Sequence, residues 1–181
     1  RCAGSKGQVD MFDYKDKVVL VTGAGRGIGR AIAEAFANQG ACVAANDLTP
    51  VNLDETVRRI AAAGGRGKDY VFDIAMKMPV QALVEAVLED WGRIDILVNN
   101  AGVEPHAALL DMDEWDWRRT IDVNLSGPFF TLQSVGRVMR EQGGGAVVGV
   151  ARAASSRAPG ALGPGGRNQC GDARVAGGRP P

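Results

Sequence analysis

Three glycines at fixed spacing, Gly23, Gly27 and Gly29, follow the apolar run Val18-Val19-Leu20-Val21 and Thr22, and lead into a segment with helical apolar spacing. Residues of these types in this order suit one chemistry, the holding of a phosphate. Glycine lets a backbone approach a pyrophosphate closely, and a helix starting there offers unpaired N–H groups and the positive end of its dipole. The spacing is Gly-x-x-x-Gly-x-Gly, distinct from the general Gly-x-Gly-x-x-Gly dinucleotide pattern. Asp47 closes the next apolar stretch, 24 residues after Gly23. A carboxylate near that offset accepts both hydroxyls of an adenosine ribose and repels a 2′-phosphate, which favours NAD. Leu48 follows, where a phosphate site would welcome a cation. Arg26 inside the loop pulls the other way, since a guanidinium pairs with a 2′-phosphate; NADP stays open beside NAD. The plain alternative for Asp47 is a solvated strand end.

Residues that must act together need elements that bring them together. The run 18–21 reads as a buried strand, and the helix after it carries Ile28, Ala31, Ile32, Ala35 and Phe36 on one face. That helix ends near Gly40, a C-terminal cap. A second strand spans 41–46. A second helix starts near Thr49-Pro50, buries Leu53, Val57, Ile60 and Ala61, and stops at Gly64-Gly65. A third strand spans 69–72. The third helix buries Val80, Leu83, Val84, Val87, Leu88 and Trp91. A fourth strand spans 94–98, a long helix runs from about 113 to 142 with a kink near Gly127-Pro128, and a fifth strand spans 146–150. This rhythm predicts an α/β protein, a Rossmann-type doubly wound parallel sheet of about five strands.

The bulk properties narrow the field. A chain of 181 residues with formal net charge zero gives no electrostatic case for nucleic acid or a membrane surface, and no apolar run reaches spanning length. Three scattered cysteines, Cys2, Cys42 and Cys170, suit a reducing cytoplasm rather than a disulfide framework. His106 is the single histidine, so no His-based metal site is expected. Residues 1–10 carry no signal-like apolar stretch and read as a disordered or non-native leader, with Met11 the natural start. Residues 11–150 form the dinucleotide-binding domain. In 151–181, Ala, Gly, Arg and Pro supply 23 of 31 residues, with only Leu162 and Val175 as sizeable aliphatics. Such a segment buries too little to offset its chain entropy, and disorder is expected.

With Thr22 in front, the glycine loop resembles the coenzyme loop of the short-chain dehydrogenase/reductase family, and further motifs extend the resemblance over about 15–150. Asp73-Ile74 is similar to the family's adenine contact, Asp by side chain and Ile by backbone. Asn99-Asn100-Ala101-Gly102 matches its Asn-Asn-Ala-Gly motif, where Asn100, Ala101 and Gly102 pass close to the cofactor and the amides brace the sheet. Asp122-Val123-Asn124-Leu125-Ser126-Gly127 resembles the helix motif whose Asn holds a water in the proton relay, which makes Asn124 the candidate catalytic residue. The resemblance implies Thr22, Gly23, Arg26, Gly27, Ile28 and Gly29 on the cofactor's phosphates. It implies hydride transfer between NAD(P) and a small secondary alcohol or ketone, in a protein that can form homo-oligomers.

The resemblance then fails. The family's Tyr-x-x-x-Lys pair occurs nowhere: the last Tyr is Tyr70 and the last Lys is Lys77. Arg152 stands where the family has its Ser, and Ser155 and Ser156 are out of register. The expected cause is a reading frame lost near residue 150, which makes this chain catalytically incomplete. A non-catalytic dinucleotide-binding module and an unstable truncated product are the competing readings.

Overall fold

The first apolar run forms β1, Val18–Thr22, buried at every position. The computed structural model describes residues 14–105 and 110–151. The chain divides between Gly149 and Val150, and all of the elements below lie in the first unit. The expected leader and almost all of the expected disordered tail fall outside the described residues, as do His106, Arg152, Ser155 and Ser156.

Around β1 assemble β2 (Cys42–Asp47), β3 (Arg66–Val71), β4 (Ile96–Asn99) and β5 (Ala146–Gly149), all parallel, in the order β3-β2-β1-β4-β5. Crossovers run through α1 (Gly27–Asn38), α2 (Pro50–Ala62), α3 (Lys77–Trp91), α4 (Glu114–Ile121) and α5 (Gly127–Glu141). This is the expected doubly wound Rossmann-type sheet. Alternation along the strands sorts the core onto two faces. Val18, Leu20, Ala44 and Leu97 pack with Leu83 and Val87 of α3 and Val135 and Met139 of α5. Val19, Val21, Val43 and Val98 pack with Ala33 and Ala37 of α1 and Leu53 and Ile60 of α2. Each fully buried Leu or Val contributes about 1.5–3 kcal/mol relative to exposure.

Several boundaries and faces differ from the sequence reading. In α1 the buried face is Gly29, Ala33 and Ala37, while Ile28, Ala31 and Ala35 are exposed. Ile32 and Phe36 of the expected face do pack against this core, while the close backbone contact at Gly29 puts the small residues deepest. In α2, Thr56 is buried and Ala61 is exposed. β3 starts at Arg66, ahead of the expected 69, because backbone pairing of Cys42 with Arg66 and Ala44 with Lys68 recruits charged edge residues that carry no apolar pattern. β4 starts at Ile96 rather than 94, since the Gln142 side chain takes the Ile94 N–H (3.0 Å) and C=O (2.9 Å). β5 ends at Gly149, opposite Asn99. A kink was expected near Gly127-Pro128 in the long helix. That helix passes through a π-turn, Asp122–Ser126, between α4 and α5. Proline has no N–H to give, so the regular ladder cannot continue through Pro128 unchanged.

Asp95 ties the start of β1 to β4. Its Oδ2 accepts from the Val18 N–H (2.9 Å) and Arg93 Nε (2.8 Å), and Oδ1 from Arg93 Nη2 (2.6 Å). Burial alone would raise this carboxyl, but the Arg93 fork, the Val18 N–H and the Lys17 charge more than offset it and hold it below the ordinary range. A depressed folded value means that the carboxylate's contribution is complete above the unfolded pKa of about 4 and is lost as pH falls through the folded value. Asp95→Asn is therefore expected to lower stability by about 1–2 kcal/mol at pH 7. Urea unfolding followed by tryptophan fluorescence at pH 7 and at the acid end of the folded range should show that deficit shrinking toward zero in acid. An equal deficit at both would contradict the assignment.

Candidate dinucleotide site

The crevice at the carboxyl ends of β1, β2 and β4 lies where the strand order reverses, the position at which open α/β sheets hold ligands. Its floor is built on Thr22. The hydroxyl accepts from the N–H groups of Asn100 (3.0 Å) and Ala101 (3.1 Å) and donates to the Val98 carbonyl (3.3 Å). The Asn100 amide donates in return to the carbonyls of Thr22 (3.0 Å) and Gly23 (3.2 Å). The ends of β1 and β4 are thus stitched together in both directions.

That closeness dictates two of the glycines. Gly23 adopts a left-handed φ of +66°, and a Cβ on it would lie 2.8 Å from the Ala101 Cα. A Cβ on Gly29 would overlap the Gly23 carbonyl oxygen and the Asn100 amide. Gly27 differs: its φ is also left-handed, at +55°, but nothing lies within 4 Å of where its Cβ would be. Its side of the loop faces open space. Arg26, in extended backbone, makes no side-chain cap for α1, and Arg26, Gly27 and Ile28 are all exposed. The uncapped first turn of α1 and the clear space beside Gly27 fit an anionic phosphate group.

Asp47 sits at the rim. Its Oδ2 accepts from the Gly25 N–H (3.0 Å) and its Oδ1 from the Thr49 N–H (3.1 Å), so the carboxylate is held against the glycine loop. Two residues that sequence reasoning missed hold the other side of the loop. Arg30 donates to the Gly25 carbonyl, to the Asn52 carbonyl (3.1 Å) and to the Thr56 hydroxyl (2.9 Å); Thr56 donates to the Ala24 carbonyl (3.0 Å). One signal was present in the sequence. A cation near a helix N-terminus opposes the dipole and needs acceptors of its own.

The remaining candidates line the side facing α4 and α5. Asp73 Oδ1 accepts from the Ala75 N–H (2.9 Å), and its carboxylate pairs with Arg119 Nη1 (2.9 Å) and Nη2 (3.4 Å). Ile74 is buried against Gly127, where a Cβ would lie 2.8 Å from Ile74 Cδ1. Asn99 Oδ1 accepts from the Thr131 hydroxyl (2.7 Å). Gly102 passes Asn124, with a Cβ position 3.3 Å from Asn124 Oδ1. Asn124 lies in the π-turn, and its amide pairs with Val103 in both directions, 2.8 Å from the Val103 N–H and 2.8 Å to the Val103 carbonyl. This side chain clamps loop to helix and keeps one N–H for a further partner.

Tyr70 is remote in role from this crevice. It is buried between β3 and α3, donates to Asp90 (2.7 Å) and accepts from the Trp91 indole (2.9 Å). Burial and the Asp90 carboxylate push its phenol far above the ordinary range, so it is a poor proton carrier at neutral pH. Among the described residues no cluster of His, Cys, Asp and Glu gathers to hold a metal, and no helix is long and apolar enough to cross a membrane.

A model of the short chain dehydrogenase family matches residues 17–163. The chain is 43% identical over 147 residues to a D-threitol dehydrogenase of Mycolicibacterium smegmatis, covering 80% of this chain and 56% of that protein. It therefore spans little more than half the length of that relative. Among solved structures, an NAD+-bound xylitol dehydrogenase is similar with a TM-score of 0.75 and 34% identity, covering 81% of this chain and 56% of that one. A metagenomic short-chain oxidoreductase in complex with NADP is similar with a TM-score of 0.75 and 33% identity, covering 80% and 66%.

Thr22→Val keeps the shape and removes the acceptor of two backbone N–H groups at a fully buried position. A loss of about 2 kcal/mol or more is expected in urea unfolding. A change within about 0.5 kcal/mol would show that the stitch between β1 and β4 carries no weight.

Proposed function

The chain belongs to the short-chain dehydrogenase family, and on that premise we propose that it carries the dinucleotide-binding machinery of an oxidoreductase moving hydride between NAD and a small secondary alcohol or ketone. The observation that carries this reading is the open, uncapped loop at the start of α1, with Asp47 fixed against it through the Gly25 N–H (3.0 Å). In this reading the N–H groups at Gly27, Ile28 and Gly29, with Arg26, hold the pyrophosphate. Asp47 accepts from the adenosine ribose hydroxyls. Asp73 and Ile74 meet the adenine, while Asn100, Ala101 and Gly102 let the backbone pass beneath the cofactor. A bound nicotinamide dinucleotide supplies the hydride carrier itself.

The choice of NAD rests on charge. A 2′-phosphate would lie beside the Asp47 carboxylate, a repulsion that Arg26 of the same loop offsets in part. Hydride transfer to a ketone also leaves an oxyanion that needs a proton, and no Tyr-x-x-x-Lys pair occurs in these 181 residues to supply it. We propose that this chain as it stands binds the dinucleotide without appreciable turnover, in a reducing cytoplasm. Asn124 is the one member of the family's relay that the resemblance supplies.

Fluorescence titration with NADH and NADPH tests both parts. NADH is expected to bind about tenfold more tightly, a difference of about 1.4 kcal/mol, and Asp47→Ser to narrow the gap. Tighter NADPH binding, or no binding of either, would overturn the proposal. NADH oxidation with a panel of ketones is expected at the level of a Gly29→Asp control, and clear activity above it would refute the turnover claim.

A further inference from the structure

Two adjacent arginines of α4 have opposite fates. Arg118 pairs with Glu114 of its own helix, both side chains more than two-thirds exposed. Arg119 reaches 46 residues back in the chain to Asp73, and that pair is largely withdrawn from water, with side-chain exposures of 26% and 19%. Exposed pairs along a helix contribute little. A partly buried, two-point guanidinium grip fixes a carboxylate in both position and plane.

Arg119 shares one continuous helical run with other residues that meet the same loops. Asn124, Gly127 and Thr131 meet Val103, Ile74 and Asn99 near the ends of β3 and β4. Counting one α-helical turn back from Asn124 arrives at Thr120, whose hydroxyl instead donates to the Asp116 carbonyl of its own helix (2.7 Å). Arg119, five residues ahead of Asn124, is the α4 residue that reaches Asp73.

We propose that Arg119 is a positioning residue for the adenine end of the dinucleotide, acting through Asp73; the inference rests on the dinucleotide reading above. A carboxylate offers about four lone-pair sites. Ala75 and the two Arg119 nitrogens use three of them, which leaves Oδ2 with one. Held in this way, that oxygen suits a donor such as the exocyclic amino group of adenine. It is repelled by a carbonyl at the same ring position, as in hypoxanthine. Arg119 therefore sets a preference between bases as well as an affinity.

The test compares NADH with its reduced hypoxanthine analogue, binding to the 181-residue chain and to Arg119→Gln and Arg119→Lys, with circular dichroism to confirm folding. The parent chain is expected to favour the adenine form about tenfold, Arg119→Gln to fall below about threefold, and Arg119→Lys to lie between, since an ammonium lacks the planar fork. A merely structural staple would weaken both ligands equally and leave their ratio intact. A folded Arg119→Gln that keeps the parental ratio overturns the inference. If that variant does not fold, an unchanged ratio in Arg119→Lys overturns it instead. A parent chain that binds both forms equally refutes the Asp73 contact and leaves the dinucleotide reading standing, whereas one that binds neither refutes both.

Discussion

The Thr22 hydroxyl sits where three separate requirements meet. It is fully buried, it donates to Val98, and it accepts from the N–H groups of Asn100 and Ala101. One hydroxyl has one hydrogen and two lone pairs, and all are used. The grip draws residues 100 and 101 onto the end of β1 until no side chain fits at Gly23. It also places the Asn100 amide where Gly29 must pass. The spacing of Gly23 and Gly29 that marks the loop in sequence is thus the shadow of a packing constraint between two strands, while Gly27 faces open space.

The far wall of the crevice hangs from one helical rod. Arg119, Asn124, Gly127 and Thr131 meet Asp73, Val103, Ile74 and Asn99 in turn. Loops after β3 and β4 would otherwise be free to wander. Here each is held by a different chemistry: an ion pair, a reciprocal amide clamp, a close carbon contact and a hydroxyl bond. All four belong to one continuous helical run, α4, the π-turn and α5.

Legibility in the sequence followed the strength of local pattern. β1, the glycine loop and the buried face of α3 were readable because apolar runs and helical spacing there leave one arrangement open. β3 was half hidden, because Arg66 and Lys68 join the sheet by backbone pairing, which ignores side-chain polarity. The face of α1 was legible in part: Ile32 and Phe36 reach the core, but the close contact at Gly29 puts Ala33 and Ala37 deepest and leaves Ile28 exposed. Arg30 and Arg119 resembled ordinary surface cations, since their partners Asn52, Thr56 and Asp73 lie 22 to 46 residues away. The π-turn had no local marker beyond Pro128, whose missing N–H does not by itself specify an i→i+5 turn.

β2 carries a last consequence. It is paired on both edges, with β1 and β3, and Cys42 at its start is buried, where desolvation raises the thiol above its ordinary range. A thiolate is the form that alkylates, so this sulfur is shielded twice, by access and by protonation. Reagent reaches it only when the sheet itself opens. The rate at which Cys42 is modified, read by peptide mass mapping, is therefore a clock for rare openings of the sheet, supplied by the chain's own sulfur.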